Sequence, residues 1–504
     1  MNPYINHIHH IDSSEKKMVF DNLYDFINVL EKKDNLRRIS TEVDVDLEMA
    51  EILRRVTYSK GPAILFENVK GFDMPVLGNA FGTIDRMKIA LDTDNFEQIG
   101  SRLTNILSQK MPSGILGKVS ALPRLAEMAG FAPKIVKKGP VNQIIETDSP
   151  TLSFLPALKT WPKDASRFIT FGLVLTKNPE TEIRNIGVYR MQIYDDKTAG
   201  MHWQIHKRGA QHFKMAQEEN RKIEVAVIIG ADPATIYSAV APVPEGLDKF
   251  LFAGIMRKKG VMLTKCKTID LEVPANAEIV LEGYVDPENM RVEGPFGDHT
   301  GYYTAPDLYP LFHLTGVMRR EKPVYLTTVV GKPILEDAYI GKVIERSFLP
   351  LIQVFQPEVV DVNMPAAGWF HGLAIVAIKK RYPGQARKVM MGLWGLGQFM
   401  LTKMIVVVDN NINVHDINEV IWAVTTRTDP KRDTLILDNV PTDTLDPASH
   451  LVNLGSKLGI DATVKWKEEG FARAWQEVVK PDQETEKLVD SKWKEYGITE
   501  DSTD

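Results

Sequence analysis

The hydrophobic positions in residues 1–120 follow a helical period in some stretches and a strand period in others. A stripe from Leu23 to Leu30 and a second that begins at Leu47 predict two helices, and residues 95–109 predict a third. The runs P-A-I-L-F-E-N-V and M-P-V-L-G-N-A-F are short, apolar and ended by turn residues, which is typical of strands. Residues 1–120 are therefore predicted to form an N-terminal α/β module.

Residues 121–330 have a different pattern, in which short β-like runs are separated by glycine and proline. The runs extend from F-I-T-F-G-L-V-L-T to A-E-I-V-L-E-G-Y, and residues 248–256 are the one helix that the pattern indicates between them. Many short strands with few long helices are typical of a barrel or a sandwich.

In residues 331–475 the alternation of helix and strand returns. L-A-I-V-A-I and M-I-V-V-V indicate buried strands with a helix over 385–396 between them, and Asp416 opens another helix with Glu419 at the capping-box spacing. T-L-I-L follows as a third strand, so the order β-α-β-α-β predicts a parallel sheet. Residues 476–504 are expected to form a charged C-terminal tail.

Composition and charge narrow the possible functions. The chain has 504 residues, of which 44% are hydrophobic and 25% charged, as in a soluble protein of several domains. Its net charge of −5 is spread without a basic stripe, so nucleic acid is not expected as a partner. A single cysteine, Cys266, excludes an internal disulfide and fits a reducing compartment.

No stretch predicts a membrane span or a secretory signal. The longest apolar run, residues 389–401, is shorter than the roughly 20 residues that a span needs. The first residues lack the continuous apolar core of a signal peptide. We therefore expect a cytoplasmic protein with at most peripheral membrane contact.

Two acids stand five positions apart in the segment E-G-P-F-G-D, where Glu293 and Asp298 enclose residues that fix the backbone. Carboxylates on a rigid loop can have their pKa values set by their surroundings, as proton transfer at neutral pH requires. The alternative is a glycine-rich turn with two solvated acids, and the segment alone favours that alternative.

A second polar cluster, from Asn185 to Gly209, favours a catalytic role for the two acids over a solvated turn. A strand period places Asn185 and Arg190 on opposite faces, so they share a site only if the strand is irregular or lies between two parts of one ligand. The nearby histidines His202, His206 and His212 suggest zinc, but their spacing specifies no zinc geometry. Asparagine, histidine and a carboxylate suit Mg²⁺ or Mn²⁺ bridging a phosphate.

These segments carry a resemblance to a known family. The chain resembles the UbiD family of reversible decarboxylases from about Asp21 to Trp466, and most resembles the members that act on 4-hydroxy-3-polyprenylbenzoate in ubiquinone synthesis. The motifs that carry the similarity are, in order, N-x-G-x-Y-R-x-Q, W-x-x-H-x-x-G, A-D-P-A-T-I, D-L-E-V-P-A-x-A-E-I-V-L-E-G, E-G-P-F-G-D-H-T-G-Y-Y, W-A-V-T-T-R-T-D-P and G-S-K-L-G-I-D-A-T.

The resemblance implies a multidomain α/β (α+β) fold. It predicts a central split β-barrel over residues 121–330, between the N-terminal α/β module and a C-terminal α/β oligomerisation domain over residues 331–475. It further implies prenylated FMN as cofactor with a divalent metal, usually Mn²⁺, and often K⁺. A flavin prenyltransferase would supply the cofactor, and the chain would form a homo-oligomer, a dimer or a hexamer.

The same resemblance implies roles for individual residues. Arg190, Glu293 and Asp298 match the catalytic Arg–acid–acid site, with Asp298 as proton donor. Asn185 and His206 are the expected metal ligands. The residues expected to contact the cofactor are Val188, Tyr189, Arg190, His202, Trp203, Gln204, His206, Arg208 and Gly209, with Lys403 as a further candidate for a phosphate contact.

One position departs from the family pattern. Where relatives carry a metal-binding glutamate, this chain has Lys249 in the segment G-L-D-K-F-L-F-A-G. Three interpretations stay open: Asp248 or Glu245 replaces the missing ligand, Lys249 serves a metal-free phosphate site, or the subunit has lost activity. A protonated lysine cannot ligate a metal, but its charge can partly replace one beside a phosphate.

The expected reaction is the non-oxidative decarboxylation of a small aromatic acid, most directly of the 4-hydroxybenzoate type in quinone synthesis. Loss of CO₂ from an sp² carbon needs an electron sink that no side chain offers, so a cofactor must provide it. The alternatives are a dihydroxynaphthoate of menaquinone synthesis, a non-aromatic unsaturated acid, or a non-catalytic subunit of a larger carboxylase. Residues that we expect to shape an apolar substrate pocket are Phe296, Tyr302, Tyr303 and Phe370.

Overall fold

The computed structural model describes residues 20–108, 128–244 and 246–498. Three bodies of structure follow one another along the chain, and the central one carries the largest sheet. The N-terminal module and this sheet share a core, in which Phe81 contacts both Phe26 and Phe171, at ring centroid distances of 5.5 and 5.9 Å. Within the described part of the chain, no helix has the length and apolar character to cross a bilayer.

The N-terminal module packs helices against a small sheet. Its elements are α1 (Leu23–Lys32), β1 (Leu36–Ile39), α2 (Glu48–Tyr58), β2 (Ala63–Phe66), β3 (Val76–Gly78), α3 (Ile84–Leu91) and α4 (Glu97–Ser108). The predicted helices and strands are confirmed as far as Ser108, while Gln109 lies outside the described residues. The fourth strand of the sheet is β18 (Tyr325–Leu326), which pairs with β3, so the sheet extends beyond the predicted boundary at residue 120.

The central body is a nine-stranded antiparallel sheet with the strand order β6-β9-β10-β17-β14-β11-β7-β8 and with β5 paired to β17. Its strands are β5 (Ile144–Glu146), β6 (Phe168–Ile169), β7 (Leu173–Lys177), β8 (Arg184–Val188), β9 (Met191–Ile193), β10 (Thr198–Met201), β11 (Ile223–Ile229), β14 (Ile279–Glu293) and β17 (Asp307–Arg319). Its helices are α5 (Arg208–Glu218), α6 (Pro233–Val240) and α7 (Lys249–Arg257). The predicted helix over 248–256 is thus confirmed to within one residue, with Asp248 as its N-cap.

Chain connectivity shows that this sheet curls on itself. Strand β8 is at one end of the strand order and β9 is six places away, which in a flat sheet would be about 29 Å. The chain passes from Val188 to Met191 through two residues, a reach of about 10 Å. The two ends of the sheet must therefore lie side by side, and Tyr189 and Arg190 cross the gap between them.

Two smaller sheets border this half-barrel. One has the order β13-β12-β4 and consists of β4 (Lys134–Ile135), β12 (Met262–Lys265) and β13 (Glu272–Pro274). The other is a hairpin of β15 (Phe296–Gly297) and β16 (Tyr303–Thr304). Cys266, next to β12, is buried in the core.

The C-terminal domain is a five-stranded sheet with the order β19-β20-β21-β23-β22. Its elements are α8 (Glu336–Phe355), β19 (Val359–Asn363), β20 (Leu373–Ile378), α9 (Gln385–Trp394), β21 (Met404–Asp409), α10 (Ile417–Arg427), β22 (Thr434–Pro441) and β23 (Leu454–Ala462). A further helix, α11 (Gln483–Lys492), lies in the predicted charged tail and buries none of its residues.

The prediction of a parallel sheet is right for β20 and β21 and wrong for β22, the T-L-I-L strand. This strand runs antiparallel to β23 at the edge of the sheet, where Ile436 is 63% exposed. The third parallel strand is β23, which lies inside the sheet. Its polar residues prevented its prediction as a buried strand. Lys457 within it is buried because its Nζ donates to Met400 O at 2.6 Å and to Thr402 O at 2.9 Å.

The predicted capping box of α10 forms only in part. The Asp416 carboxylate accepts hydrogen bonds from the backbone N–H groups of Asn418 and Glu419, as an N-cap does. The Glu419 carboxylate, however, accepts from Asn413 N at 3.0 Å.

Candidate active site

A buried ion-pair cluster lies where the chain crosses the split in the half-barrel. Arg190 Nε donates to Glu293 Oε1 at 2.7 Å, and Nη2 donates to Glu293 Oε2 at 2.9 Å. Arg190 Nη1 donates to Asp298 Oδ2, and Nη2 also donates to Thr304 Oγ1 at 3.2 Å. Glu293 and Asp298 are 0% and 6% exposed, so the alternative of a turn with solvated acids is wrong.

The local fold explains why these side chains meet. Glu293 is the last residue of β14, and the β15–β16 hairpin that follows pairs Phe296 with Thr304. The guanidinium of Arg190 lies over the Phe296 ring, 4.6 Å from its centroid, in a cation–π contact. Gly297 is required for this turn because a Cβ there would come within 2.2 Å of the Trp161 ring. The hairpin thus brings Asp298 back to the same guanidinium.

Both acids are held in the ionised form. Burial would raise the pKa of Glu293, but a hydrogen bond from His202 and the charge of Arg190 outweigh burial and lower it to about 2. Burial also opposes ionisation of Asp298, yet the hydrogen bond from His299 and the charge of Arg190 hold its pKa well below the usual value. The pKa of His202 is lowered by burial and by Arg190. A neutral His202 therefore donates from Nδ1 to Glu293 Oε2 at 3.1 Å.

The hydrogen bonds of Arg190 have a chemical consequence. Four of its five N–H donors are used by Glu293, Asp298 and Thr304, so a substrate carboxylate can bind it at two points only by displacing one of these partners. Glu293 is bonded to the guanidinium twice and Asp298 once, while His202 bonds Glu293 and His299 bonds Asp298. Asp298 is therefore the acid with fewer hydrogen bonds to the guanidinium.

The C-terminal domain closes over the Asp298 side of the cluster. His299 Nδ1 donates to Asp298 Oδ1 at 3.0 Å, and its ring lies 5.1 Å from Phe370 and 5.4 Å from His371, centroid to centroid. His371 Nε2 in turn donates to Asp443 Oδ2 at 3.0 Å. Burial disfavours a charged His299, but the adjacent carboxylate of Asp298 raises its pKa above the ordinary value.

Sequence reasoning assigned no role to His299, His371 or Asp443. His299 directly follows Asp298 in D-H-T-G-Y-Y, so adjacency was a signal for it. His371 and Asp443 lie in a different domain, 72 positions apart, and no local pattern links them to the acids. Asp337, at the start of α8, belongs to the same cluster, since burial raises its pKa to about 7 while His299 opposes that rise.

Several predicted cofactor residues surround the start of α5. The Tyr189 and Trp203 rings meet edge to face at a centroid distance of 6.5 Å, and Gly209 N donates to Tyr189 Oη at 3.3 Å. A Cβ on Gly209 would lie 2.7 Å from Trp203 Nε1, so only glycine fits there. Among the described residues Trp203 Nε1 is buried without a hydrogen-bond partner. A polar acceptor on a bound cofactor would satisfy this donor, so these residues fit a flavin.

Other predicted cofactor residues occupy varied positions. Val188 ends β8 and is half-buried against the N-terminal core, and Gln204 lies in the turn before α5. Arg208 opens α5, where its Nη2 donates to Val243 O at 2.6 Å. Lys403 is in the C-terminal domain and forms an ion pair with Asp446 at 2.9 Å, so its phosphate contact stays a prediction.

The three histidines that suggested zinc bind three different partners. His202 binds Glu293, His206 Nε2 donates to Thr442 O at 3.2 Å, and His212 Nδ1 lies 2.9 Å from Thr176 Oγ1. Burial lowers the pKa of His212 to about 4. Each histidine therefore has a separate structural contact.

The residues at the predicted metal site do not fit a divalent ion. Asn185 is buried in β8, and the position of the family glutamate is filled by Lys249, whose Nζ donates to Ala239 O at 2.8 Å. In the part of the chain that the structure describes, no three His, Cys, Asp or Glu side chains are grouped to hold a metal. Glu245, one proposed substitute ligand, lies outside the described residues.

The four aromatic residues expected at a substrate pocket are placed unequally. Phe296 is fully buried beneath Arg190, and Phe370 lies beside His299. Tyr302 and Tyr303 are 64% and 39% exposed, and the Oη of Tyr303 accepts from Lys163 N at 3.2 Å. Only Phe296 and Phe370 therefore border the ion-pair cluster.

Comparisons with known proteins identify the family. Three family profiles, of the 3-octaprenyl-4-hydroxybenzoate carboxy-lyase N-terminal, Rift-related and C-terminal domains, match residues 27–103, 134–333 and 338–462. An uncharacterized protein of Archaeoglobus fulgidus is 54% identical over 479 residues, which cover 95% of this chain and 99% of that protein. The chain belongs to the UbiD family. An uncharacterized protein of Aquifex aeolicus is 49% identical to it over 95% of this chain and 99% of that protein.

Solved structures agree with the UbiD assignment. The closed form of vanillic acid decarboxylase from Sedimentibacter hydroxybenzoicus has a TM-score of 0.84 at 27% identity, over 96% of this chain and 100% of that chain. The UbiD-class enzyme HmfF from Pelotomaculum thermopropionicum, in complex with FMN, has a TM-score of 0.76 at 28% identity, over 93% and 99%. The predicted α/β fold with a split barrel is confirmed, and the protein is a UbiD-class decarboxylase.

This UbiD protein is more similar to the closed form of the Sedimentibacter enzyme than to its open form. The open form of the Sedimentibacter enzyme has a TM-score of only 0.74, over 95% of this chain and 99% of that chain, against 0.84 for the closed form. This difference agrees with the contacts of His206 with Thr442 and of His299 with His371, which join the barrel to the C-terminal domain.

Proposed function

We propose that the protein is a prenylated-FMN-dependent carboxy-lyase that removes CO₂ from an aromatic acid, most directly one of the 4-hydroxybenzoate type. The observation that carries this proposal is the buried Arg190–Glu293–Asp298 cluster at the split of the half-barrel. A guanidinium that can receive a carboxylate, beside two acids that can exchange a proton, is what decarboxylation requires of side chains.

Prenylated FMN, when bound, supplies the electron sink for the carbon that loses CO₂. Tyr189, Trp203 and Gly209 would hold the flavin, and the basic residues at the start of α5 would hold its phosphate. HmfF has been solved with FMN and, in an evolved dimeric form, with prenylated FMN. A flavin prenyltransferase is the proposed source of the cofactor.

The ion pairs support a route by which Asp298 acquires its proton. In the ligand-free cluster both acids are ionised, so neither has a proton to give. A substrate carboxylate that binds Arg190 adds a third anion to one guanidinium, and the crowding raises the pKa of the displaced acid. Asp298, bonded to Arg190 once, would take up a proton at Oδ2 as the substrate binds and give it to the carbon that has lost CO₂.

His299 has a supporting role in this scheme. Its hydrogen bond fixes Asp298 Oδ1, which leaves Oδ2 as the oxygen that exchanges between Arg190 and the proton. We assign it as a positioning residue. His371 and Asp443 hold the outer side of the His299 ring when the domains are closed.

We also propose a homo-oligomer assembled through the C-terminal domain. Ile417, Ile421 and Trp422 on α10 are 47%, 54% and 40% exposed, and β22 is a strand at the edge of the sheet. Apolar side chains grouped on one helix beside an edge strand are typical of a surface covered by another subunit. Sedimentation of the purified protein at several concentrations tests this assembly.

The function is tested by producing the protein together with a flavin prenyltransferase. The purified protein should show the absorbance of a bound modified flavin and should release CO₂ from at least one hydroxybenzoate in a panel that also contains dihydroxynaphthoates and non-aromatic unsaturated acids. If only a non-aromatic acid releases CO₂, the proposed substrate class is wrong, while the proposed reaction is still supported. A protein that binds no flavin and releases no CO₂ would instead be a non-catalytic subunit.

A further inference from the structure

Three basic side chains come together where α5 and α7 begin. Lys207 is the N-cap of α5, Arg208 is its first residue, and Lys249 is the first residue of α7. Lys249 is only 8% exposed, and burial together with the charges of Arg208 and Lys207 lowers its pKa to about 7. Burial opposes any charge on Lys249, whereas the nearby charges of Arg208 and Lys207 indicate a positive site.

Asp248, the residue before Lys249 in the chain, is already hydrogen-bonded to other groups. Asp248 accepts from Phe250 N at 2.7 Å as the N-cap of α7, and its Oδ2 accepts from Arg184 Nη2 at 2.7 Å. Arg184 Nη1 also donates to Glu272 at 3.3 Å, so a network holds Asp248 in place. Asp248 is therefore not positioned to replace a metal-binding glutamate.

The N-terminus of α5 adds to the positive potential. The N-cap residue, Lys207, makes no side-chain cap hydrogen bond, and among the described side chains Tyr189 Oη accepts from Gly209 N in the first turn at 3.3 Å. The positive end of the helix dipole and its backbone N–H groups favour an anion there. The adjacent Trp203 has a buried indole N–H without a partner among the described residues, so the site is incomplete without a ligand.

Lys249 has donors left for such a ligand. Its Nζ carries three N–H bonds, of which one is directed at Ala239 O at 2.8 Å. The hydrogen bond fixes the ammonium group at the start of α7 and leaves two donors without a partner among the described residues. A lysine in this position can therefore neutralise an anion at short range, as a bound cation would.

We infer that Lys249 takes the place of a divalent metal beside the flavin phosphate. The phosphate is then bound by Lys249, by Arg208 and by the N-terminus of α5, and the holoprotein carries its flavin without bound Mn²⁺. This inference rests on the proposed function in one respect only, namely that the ligand is a flavin phosphate.

Binding of FMN to the full-length protein tests the inference without any turnover. FMN affinity is measured by quenching of flavin fluorescence, in EDTA and in excess Mn²⁺, together with metal analysis of the FMN complex. The expected result is the same affinity in both buffers and far less than one Mn²⁺ per flavin. Stoichiometric Mn²⁺ that EDTA removes with a loss of at least tenfold in affinity would overturn the inference.

Two substitutions at one position separate the roles of charge and metal. Lys249→Met should weaken FMN binding at least tenfold in either buffer, because no cation replaces the lost ammonium. Lys249→Glu should weaken it at least as much in EDTA and should regain affinity in Mn²⁺, because it restores the metal-binding carboxylate that relatives carry at this position. Lys214→Met, which removes an exposed lysine from α5, should change neither value.

Control measurements keep the outcomes apart. Thermal unfolding of each variant without FMN shows whether a weakened affinity reflects misfolding. Unchanged affinity in folded Lys249→Met would overturn the inference, and so would a Mn²⁺ content that Glu245→Gln abolishes. If the wild-type protein binds no FMN in either buffer, the proposed function itself fails.

Discussion

Arg190 and Glu293, 103 positions apart in the chain, form a two-point ion pair in which Nε and Nη2 lie 2.7 and 2.9 Å from the two carboxylate oxygens. The pair fixes the plane of the guanidinium, so Nη1 is directed at Asp298. This arrangement gives the two acids different tasks. In the proposed reaction Glu293 orients the arginine, and Asp298 exchanges with the substrate.

Replacing the proposed proton donor should abolish turnover without releasing the cofactor. Asp298→Asn keeps the shape of the side chain but has no proton of the required acidity, so we expect CO₂ release to fall by about 10²- to 10⁴-fold. The flavin absorbance of the purified variant should match that of the wild-type protein. Glu288→Gln, which changes an exposed acid on the same strand as Glu293, should retain full activity. An active Asp298→Asn variant would remove Asp298 as the donor.

Removing the cation should destabilise the fold as well as stop the reaction. Arg190→Met leaves Glu293 and Asp298 buried without their partner, and breaking a buried ion pair in this way costs about 3–5 kcal/mol. Urea denaturation of the flavin-free protein measures this loss. A variant as stable as the wild type would show that Glu293 and Asp298 become protonated, or bind other partners, at no cost in stability.

The stability of the protein should depend on pH through Glu293. Its pKa is about 2 in the folded protein, against 4.5 for the free group, so it stabilises the folded state by about 3 kcal/mol above pH 4.5. As a group with a lowered folded-state pKa, it loses this contribution as the pH falls from 4.5 towards 2. The difference in unfolding free energy between wild type and Glu293→Gln should therefore shrink over that interval. A difference that is constant with pH would show that Glu293 is not ionised in the folded protein.

Substitution of His299 should change the pH profile of the reaction more than it changes the binding of substrate. His299→Gln removes the charged donor that holds Asp298 Oδ1, so the pKa of Asp298 rises. We expect kcat to fall at least tenfold with a smaller change in KM, and the alkaline limb of the kcat/KM profile, where a proton donor loses its proton, to move to higher pH. His450→Gln, at an exposed histidine of the C-terminal domain, is the matched control. A fall in activity at every pH with an unchanged profile would reduce His299 to a structural role.

Part of the site could be predicted from sequence because its chemistry is concentrated in two short segments. E-G-P-F-G-D places two acids on a backbone that glycine and proline hold in a turn, and Arg190 stands out beside Tyr189. Periodicity could not predict that Arg190 lies next to the two acids. A strand period assigns Arg190 to the face opposite Asn185, whereas β8 in fact ends at Val188 and the chain crosses to a different edge of the sheet.

The missed parts share a physical cause. Helix α8 contains Pro350, which normally marks a helix end, and β23 buries Lys457 and Asp461 inside a sheet. His371 and Asp443 reach the site only because the C-terminal domain closes on the barrel. In each case tertiary contacts satisfy residues that local rules would exclude or ignore.

The central claim is that Asp298, under the control of Arg190, delivers the proton to the carbon that has lost CO₂. The most direct measurement is NMR of the product carbon after incubation of the holoprotein with the decarboxylated product in ²H₂O, which follows exchange at that carbon without net turnover. The account predicts deuterium at that one carbon with the wild-type protein and none above background with Asp298→Asn. Exchange by folded, flavin-bound Asp298→Asn at the wild-type rate would contradict it.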